Sequence, residues 1–386
     1  MSKMVKRECP ACKETKVFRS DCKTCGCQGT NPSYGEKPLK EDKKKVVVDN
    51  TEIELQKLRD KRSSKETENQ KLRERIVVLE KELETVLCLE DRTPDTIDVL
   101  PRVKQGESES AAVCVLSDWH AEERVLPEQV SGRNEYNIQT VVPRRHDNLK
   151  RGILAWLRIA SRDTIIKWLV LAMLGDFITG SIHDDLAEGN QLAPADAAHF
   201  AFSLLVDLIK FILENTPSDL TLLIPCHSGN HGRMTKEQRI ATEAGNSLEY
   251  FMYLMLQDYF QDEKRVQFII QRGYHSYVRF FEGVFEARFH HGHQINYQGG
   301  VGGITIPVNK AIAQWNKAHA VNLDVFGHFH TKFDGGNFIA NGSMIGYSAY
   351  GVSIKASFEP PCQQFFLVNR QYAQKTMVAP IYLESA

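Results

Sequence analysis

Aspartate and histidine residues recur directly behind short apolar runs. Asp118 and His120 follow Ala112 to Leu116, and Asp176 follows Trp168 to Leu174 and Gly175. Asn230 and His231 follow Leu220 to Ile224. His290, His291 and His293 close Val284 to Phe289, and His328 and His330 come after Leu323 to Phe326. In α/β proteins, ligands collect beyond the carboxyl ends of strands. Carboxylate oxygens and imidazoles, with no thiolate among them, suit Mn, Fe, Zn or Mg rather than Cu(I) or an iron–sulfur cluster. The donors are too many for one ion, so two divalent ions are expected, with Asp176 from a central strand as the bridge. Ions about 3.5–4 Å apart can hold a hydroxide and clamp both the attacking and the leaving oxygen of a phosphate.

Taken in order, Asp118-Trp119-His120, Gly175-Asp176, Gly229-Asn230-His231, His291-Gly292-His293 and Gly327-His328-Phe329-His330 resemble the calcineurin-like metallophosphoesterase superfamily. The resemblance covers roughly Ala111 to Tyr382. Gly342-Ser343 through Gly346-Tyr347, Glu359-Pro360 and Pro380-Ile381-Tyr382-Leu383 look like phage- and prophage-encoded members, related to SbcD-type repair nucleases. It implies an α/β fold, a two-sheet β-sandwich flanked by helices. Asp118, His120, Asp176 and His330 would hold the first metal, and Asp176, Asn230, His291 and His328 the second, with Mn²⁺ the first choice and Fe, Zn or Mg the others. A metal-bridging hydroxide would attack phosphorus, and His231 would face the substrate and protonate the leaving oxygen. His290, His291 and His293 compete for the fourth motif, and His291 is the expected ligand. Arg233 and His183 are candidate substrate contacts, while His227 reads as structural. The run Gly175-Asp176-Phe177-Ile178-Thr179-Gly180 departs from the protein-phosphatase pattern.

Other elements must carry these residues. Helical patterns cover about His146 to Ser161, Ala197 to Leu213, Glu237 to Tyr259 and Lys310 to His319, alternating with the apolar runs as in an α/β domain. Val266 to Ile270, Tyr277 to Phe281 and Val284 to Phe289 read as strands, the last two joined at Glu282-Gly283. From about Thr51 to Glu90 a charged helix without Pro or Gly carries a 3-4 seam through Leu55, Leu58, Leu72, Ile76, Leu79, Leu83 and Val86, polar in its middle. The expectation is a coiled coil that self-associates. At the N-terminus, Cys9-Pro10-Ala11-Cys12 and Cys22-Lys23-Thr24-Cys25 form paired C-x₂-C knuckles, the pattern of a structural zinc ribbon. The expected organisation is a ribbon at 1–30, a linker at 31–50, the long helix at 51–91, a second linker at 92–110 and the phosphoesterase domain at 111–386.

The chain has 386 residues and a net charge of −1, but residues 1–45 carry twelve Lys/Arg against six Asp/Glu. A basic head on an acidic body suggests that the head meets a polyanion. No apolar run is long enough to cross a membrane, no signal peptide is seen, and five of nine cysteines crowd into residues 9–27, which argues against a disulfide scaffold. A cytoplasmic setting, in a bacterium or a phage-infected host, is expected. The function expected is a two-metal phosphodiesterase, foremost a nuclease acting on DNA. The alternatives are a small-molecule phosphatase or cyclic-nucleotide phosphodiesterase, and a binding or assembly protein with a vestigial metal site.

Overall fold

A computed structural model describes residues 6–8, 15–17, 50–90, 96–102, 104, 107–182, 184–297, 299 and 302–384. Cys9, Cys12, Cys22 and Cys25, and with them the expected zinc ribbon, lie outside the described residues, as does His183. The chain divides into two compact units, Met1–Glu90 and Asp91–Ala386. In the first, β1 (Lys6–Glu8) pairs antiparallel with β2 (Thr15–Val17), and α1 runs over Asn50–Glu90. Helix formers and i,i+4 side-chain pairs, such as Arg62 to Glu66 at 2.9 Å and Gln56 to Asp60 at 3.2 Å, support α1 along its length.

The second unit is built on two six-stranded mixed sheets. In one, β4 (Glu109–Leu116), β5 (Ile165–Met173), β6 (Thr221–Cys226) and β7 (Val266–Ile270) run parallel. Antiparallel strands β13 (Cys362–Asn369) and β14 (Gln374–Tyr382) extend it beyond β4. In the other, the order is β11 (Phe333–Asp334), β12 (Phe338–Ala340), β10 (Leu323–Phe326), β9 (Phe285–Phe289), β8 (Ser276–Phe280) and β3 (Thr96–Val99). Here β9, β10 and β12 are parallel neighbours.

Residue parity along the strands explains the layering. Ala111, Val113 and Val115 of β4 and Val170, Ala172 and Leu174 along β5 share one buried cluster with Val278, Phe280, Phe289 and Val325 of the other sheet. The intervening Ala112, Cys114, Leu116, Leu169 and Leu171 pack into a second cluster with Leu149 and Ile153 of α2 (Val141–Ala160), Leu205 and Ile209 of α4 (Pro194–Asn215) and Tyr253 of α5 (Leu248–Tyr259). The second sheet is covered outside by Val308 and Ile312 of α6 (Thr305–Trp315), which meet Phe326 and Phe338. Strands buried on both faces read as continuous apolar runs, which is why β4, β5 and β6 are visible in the sequence. Two short helices, α3 (Asp184–Gly189) and α7 (Ala349–Ser353), sit in connecting loops.

The structure corrects two expectations. Residues 96–99 are not linker: they form β3, which pairs in parallel with β8, with Val99 buried and Ile97 against the inter-sheet core. Glu109 and Ser110, also placed in the linker, belong to β4. The Pro and Gly residues that punctuate 92–110 flank this short strand instead of excluding it. The helix expected from Glu237 begins at Leu248, because Ser247 caps it through the Tyr250 N–H; residues 240–246 form two 3₁₀ turns.

Candidate metal centre

The singled-out residues sit on the loops that leave the carboxyl ends of five strands. Asp118 and His120 follow β4, Asp176 follows β5, and Asn230 and His231 follow β6. From the other sheet, His291 follows β9 and His328 and His330 follow β10. Backbone bonds continue the ladders past the strands and fix these loops to one another. Leu174 N–H donates to the Leu116 carbonyl at 2.8 Å, Asp118 N–H to Gly175 at 3.0 Å, His120 N–H to Asp176 at 3.1 Å, and Gly327 N–H to His291 at 2.8 Å.

Three groups of side chains have donor atoms close enough to share a cation: Asp118, His120 and His330; His120, Asp176 and His231; and Asp176, His291 and His328. Asp176 belongs to two of them and His120 to two. The Nε2 atoms of His120 and His330 are 3.2 Å apart, and His330 Nε2 lies 3.4 Å from Asp118 Oδ1. On the other side His291 Nε2 is 3.0 Å from Asp176 Oδ2 and 3.2 Å from Asn230 Oδ1. Donors bound at about 2.0–2.2 Å to one ion stand roughly 3 Å from each other, so these separations match edges of a coordination polyhedron. The residues present fit a metal.

The side chains behind the donors orient them. His291 Nδ1–H donates to the Leu174 carbonyl at 2.6 Å, which turns Nε2 toward Asp176. His120 Nδ1 meets Thr179 Oγ1 at 3.1 Å. His231 Nδ1–H donates to the Thr179 carbonyl at 3.1 Å, and its backbone N–H to Asp176 Oδ1 at 2.9 Å. Burial and the neighbouring imidazoles of His231 and His330 hold His120 well below the usual histidine range. Burial opposes charge on Asp176 and on His291 alike. Their mutual attraction overrides it, keeping the Asp176 carboxyl well below its usual range and pushing the His291 imidazole up to about 10.

The backbone at the site is unusual. Asp118, His120, Asp176, His328 and His330 all adopt positive φ, between 46° and 70°. That region is disfavoured for residues with a side chain and gathers at functional sites. Glycines make room for it. A Cβ on Gly229 would lie 2.0 Å from Asp176 Oδ1, one on Gly175 2.1 Å from the Gly229 nitrogen, and one on Gly327 2.4 Å from Asp118 Oδ2.

Residues that the sequence reading passed over hold the loops. Glu249 of α5 is fully buried and accepts from Phe177 N–H at 2.6 Å and Gly229 N–H at 2.7 Å, bridging the β5 and β6 loops beneath Asp176. Glu122 accepts from Thr179 and Gly180 N–H, both at 2.8 Å. Gln363 accepts from Ser117 N–H at 3.0 Å and returns a bond to its carbonyl at 3.1 Å. Asn341 donates to Ser117 Oγ at 2.9 Å, and Met344 N–H donates to the Asp118 carbonyl at 3.0 Å. A signal was present for Gln363, a polar residue inside an apolar strand that must find partners once buried.

Among the three competing histidines, His291 joins the cluster. His290 stacks on Phe326 beside Asp324, and His293 lies 3.3 Å from Glu243. His227 is structural, bonded to Ser276 Oγ at 2.8 Å. Arg233 directs its guanidinium to carbonyls of its own loop: Asn230 at 2.7 Å, Thr235 at 3.2 Å and Lys236 at 3.4 Å. These bonds brace the segment carrying Asn230 and His231.

No helix among the described residues is long and apolar enough to cross a membrane. No family model and no curated protein matches the chain. Among solved structures, it is similar to a hypothetical protein from Pyrococcus horikoshii OT3, at 12% identity and a TM-score of 0.33, over 72% of this chain and 89% of that one.

Proposed function

We propose that residues 91–386 form a dinuclear metal-dependent phosphodiesterase of the calcineurin-like superfamily, and that its substrate is nucleic acid, DNA foremost. The observation that carries this reading is Asp176, shared between donor groups that draw on both sheets. Bound divalent ions would generate a nucleophile from water and neutralise the charge on a phosphate. Asp118, His120, Asp176 and His330 serve one ion, and Asp176, Asn230, His291 and His328 the other. Asn230 places its amide oxygen, and Asn230-His231 continue as one loop, so the acid–base imidazole lies beside the ligands. The Thr179 carbonyl occupies Nδ1 of His231 and leaves Nε2 as the nitrogen that holds and delivers a proton to a leaving oxygen. The basic head, with a zinc held by Cys9, Cys12, Cys22 and Cys25, supports nucleic acid over small esters, since Lys and Arg there can meet phosphates along a polymer.

The test offers the purified full-length protein, with Mn²⁺ or with chelator, single- and double-stranded DNA, RNA, a cyclic dinucleotide and an aryl phosphodiester. Mn²⁺-dependent cleavage of DNA is expected, with elemental analysis giving about two manganese and one zinc per chain. Turnover of only the two small esters would make it a small-molecule phosphodiesterase. Full metal occupancy without hydrolysis of any substrate would leave a binding protein.

A further inference from the structure

Helix α1 leaves the described apolar residues of its seam in water. Leu55, Leu58, Leu72, Ile76 and Leu79 are 47–65% exposed, and they recur at 3-4 spacing, the period that one helix presents to another. With Leu55 at a heptad position a and Leu58 at d, Asn69 takes an a position, followed by Leu72 (d), Ile76 (a), Leu79 (d) and, along the same register, Leu83 and Val86. Flanking the stripe, the g positions are Glu54, Lys61, Glu68 and Arg75, and the e positions Arg59, Glu66, Arg73 and Glu80.

We infer that α1 pairs with α1 of a second copy of this chain as a parallel, in-register, two-stranded coiled coil. In that arrangement each g residue faces the e residue five positions on in the partner helix. The facing pairs are Glu54 with Arg59, Lys61 with Glu66, Glu68 with Arg73 and Arg75 with Glu80, every one opposite in sign. Slipping one helix by a heptad sets Glu54 against Glu66, Lys61 against Arg73 and Glu68 against Glu80, every one alike. The alternation of charge along the helix thus fixes the register through repulsion of the wrong one, as specific coiled coils do.

The e and g charges do not choose the direction, because a fully overlapped antiparallel pair also matches opposite signs there. Asn69 chooses it. In the parallel pair it meets the other Asn69 and both amides bond; in the antiparallel pair it is set against Leu72, with no partner for a desolvated amide. A lone Asn at position a specifies two strands and register. At the waist, Arg62 and Lys65 meet their own like-charged copies in the parallel pair, which weakens the middle of the seam. Arg62 is drawn off the seam to Glu66 of its own helix, at 2.9 Å.

The test uses the full-length protein and three variants on this exposed helix. Sedimentation equilibrium at low micromolar concentration should give a dimer. Glu68→Arg sets two arginine pairs facing each other across the dimer and should weaken it about tenfold. Adding Arg73→Glu to it restores opposite signs and should restore the dimer. Leu72→Cys, mildly oxidised and digested, should give a peptide in which the two introduced thiols are joined to each other, since d positions face each other only in the parallel pair. A monomer at every concentration, or a dimer that the charge reversal leaves intact, would overturn the pairing. A dimer without that symmetric cross-linked peptide would overturn its parallel direction.

Discussion

His231 and Asn230 are adjacent in sequence, yet they meet different partners. Asn230 turns its amide oxygen to His291, while His231 is anchored through Nδ1 to Thr179. His231→Gln should therefore lower turnover by about 10² to 10⁴-fold while metal content, read by elemental analysis, stays at the wild-type value. Asp176→Asn should lower metal content itself, because the neutral amide serves both donor groups poorly. Loss of metal from the His231 variant would make that imidazole a ligand, in keeping with its membership of a donor group with His120 and Asp176. Most donors were legible in the sequence, because Asp and His behind an apolar run are rare enough to stand out. His291 was the residue expected among the three histidines, and the direction of the β9 exit brings its imidazole to Asp176. Glu249 was hidden. It lies in a helix, where a single carboxylate looks like a solvent-facing residue until two loops fold over it.

Elements with a strong period were visible early: β7 and β10 have the bounds expected of them, and the cores of α2 and α4 fall where the apolar spacing put them. Elements fixed by tertiary contact were not. The strand β3 is four residues long and exists through its pairing with β8, and the start of α5 is set by the Ser247 cap. The contact between α2 and α4 also carries a pH response. His146 on α2 is buried, with Nε2–H donating to the Leu204 carbonyl of α4 at 2.9 Å. Burial, with the Lys150 charge nearby, holds its pKa at about 4, against an ordinary value of 6.5. The folded protein therefore binds fewer protons than the unfolded chain between these values. The stability this confers is complete above about pH 6.5 and is lost as pH falls toward 4. Between pH 7 and pH 5 the loss from this one group should be about 2 kcal/mol. Urea unfolding of the wild type and of His146→Gln, which keeps a donor but does not titrate, should show the gap between them closing by that amount.

At the scale of the whole molecule, the boundary between the units matters for any truncation. A chain beginning at Asp91 keeps β3, whereas one beginning at Ala111 loses β3 and the first two residues of β4, and bares the edge of β8. The shorter chain should unfold at a lower temperature and aggregate through that edge. The longer one should hydrolyse an aryl phosphodiester as the full protein does, while its cleavage of long DNA at moderate salt falls with the basic head removed. Calorimetry and turnover on both substrates check the pair. The layered α/β architecture was legible from alternating helices and apolar runs, and a two-sheet sandwich from the resemblance, but the strand order was not, because β3, β11 and β12 are two to four residues long and gain their places from neighbours. One outcome of this layering reaches beyond catalysis. Each donor group that joins Asp118 or Asp176 to His330, His291 or His328 takes one side from the first sheet and the other from the second. An ion seated there is a clasp across the sandwich, adding to the side-chain packing and to hydrogen bonds such as those from His291 to the Leu174 carbonyl and from Asn341 to Ser117 that already join the two layers. Loading the ions should slow amide exchange in β4, β5, β9 and β10 together, by the mass-action stabilisation that binding to the folded state alone confers, about 2.7 kcal/mol at a hundredfold excess over Kd. Stripping them should let the two halves of the core breathe apart first at the rim where the histidines stand.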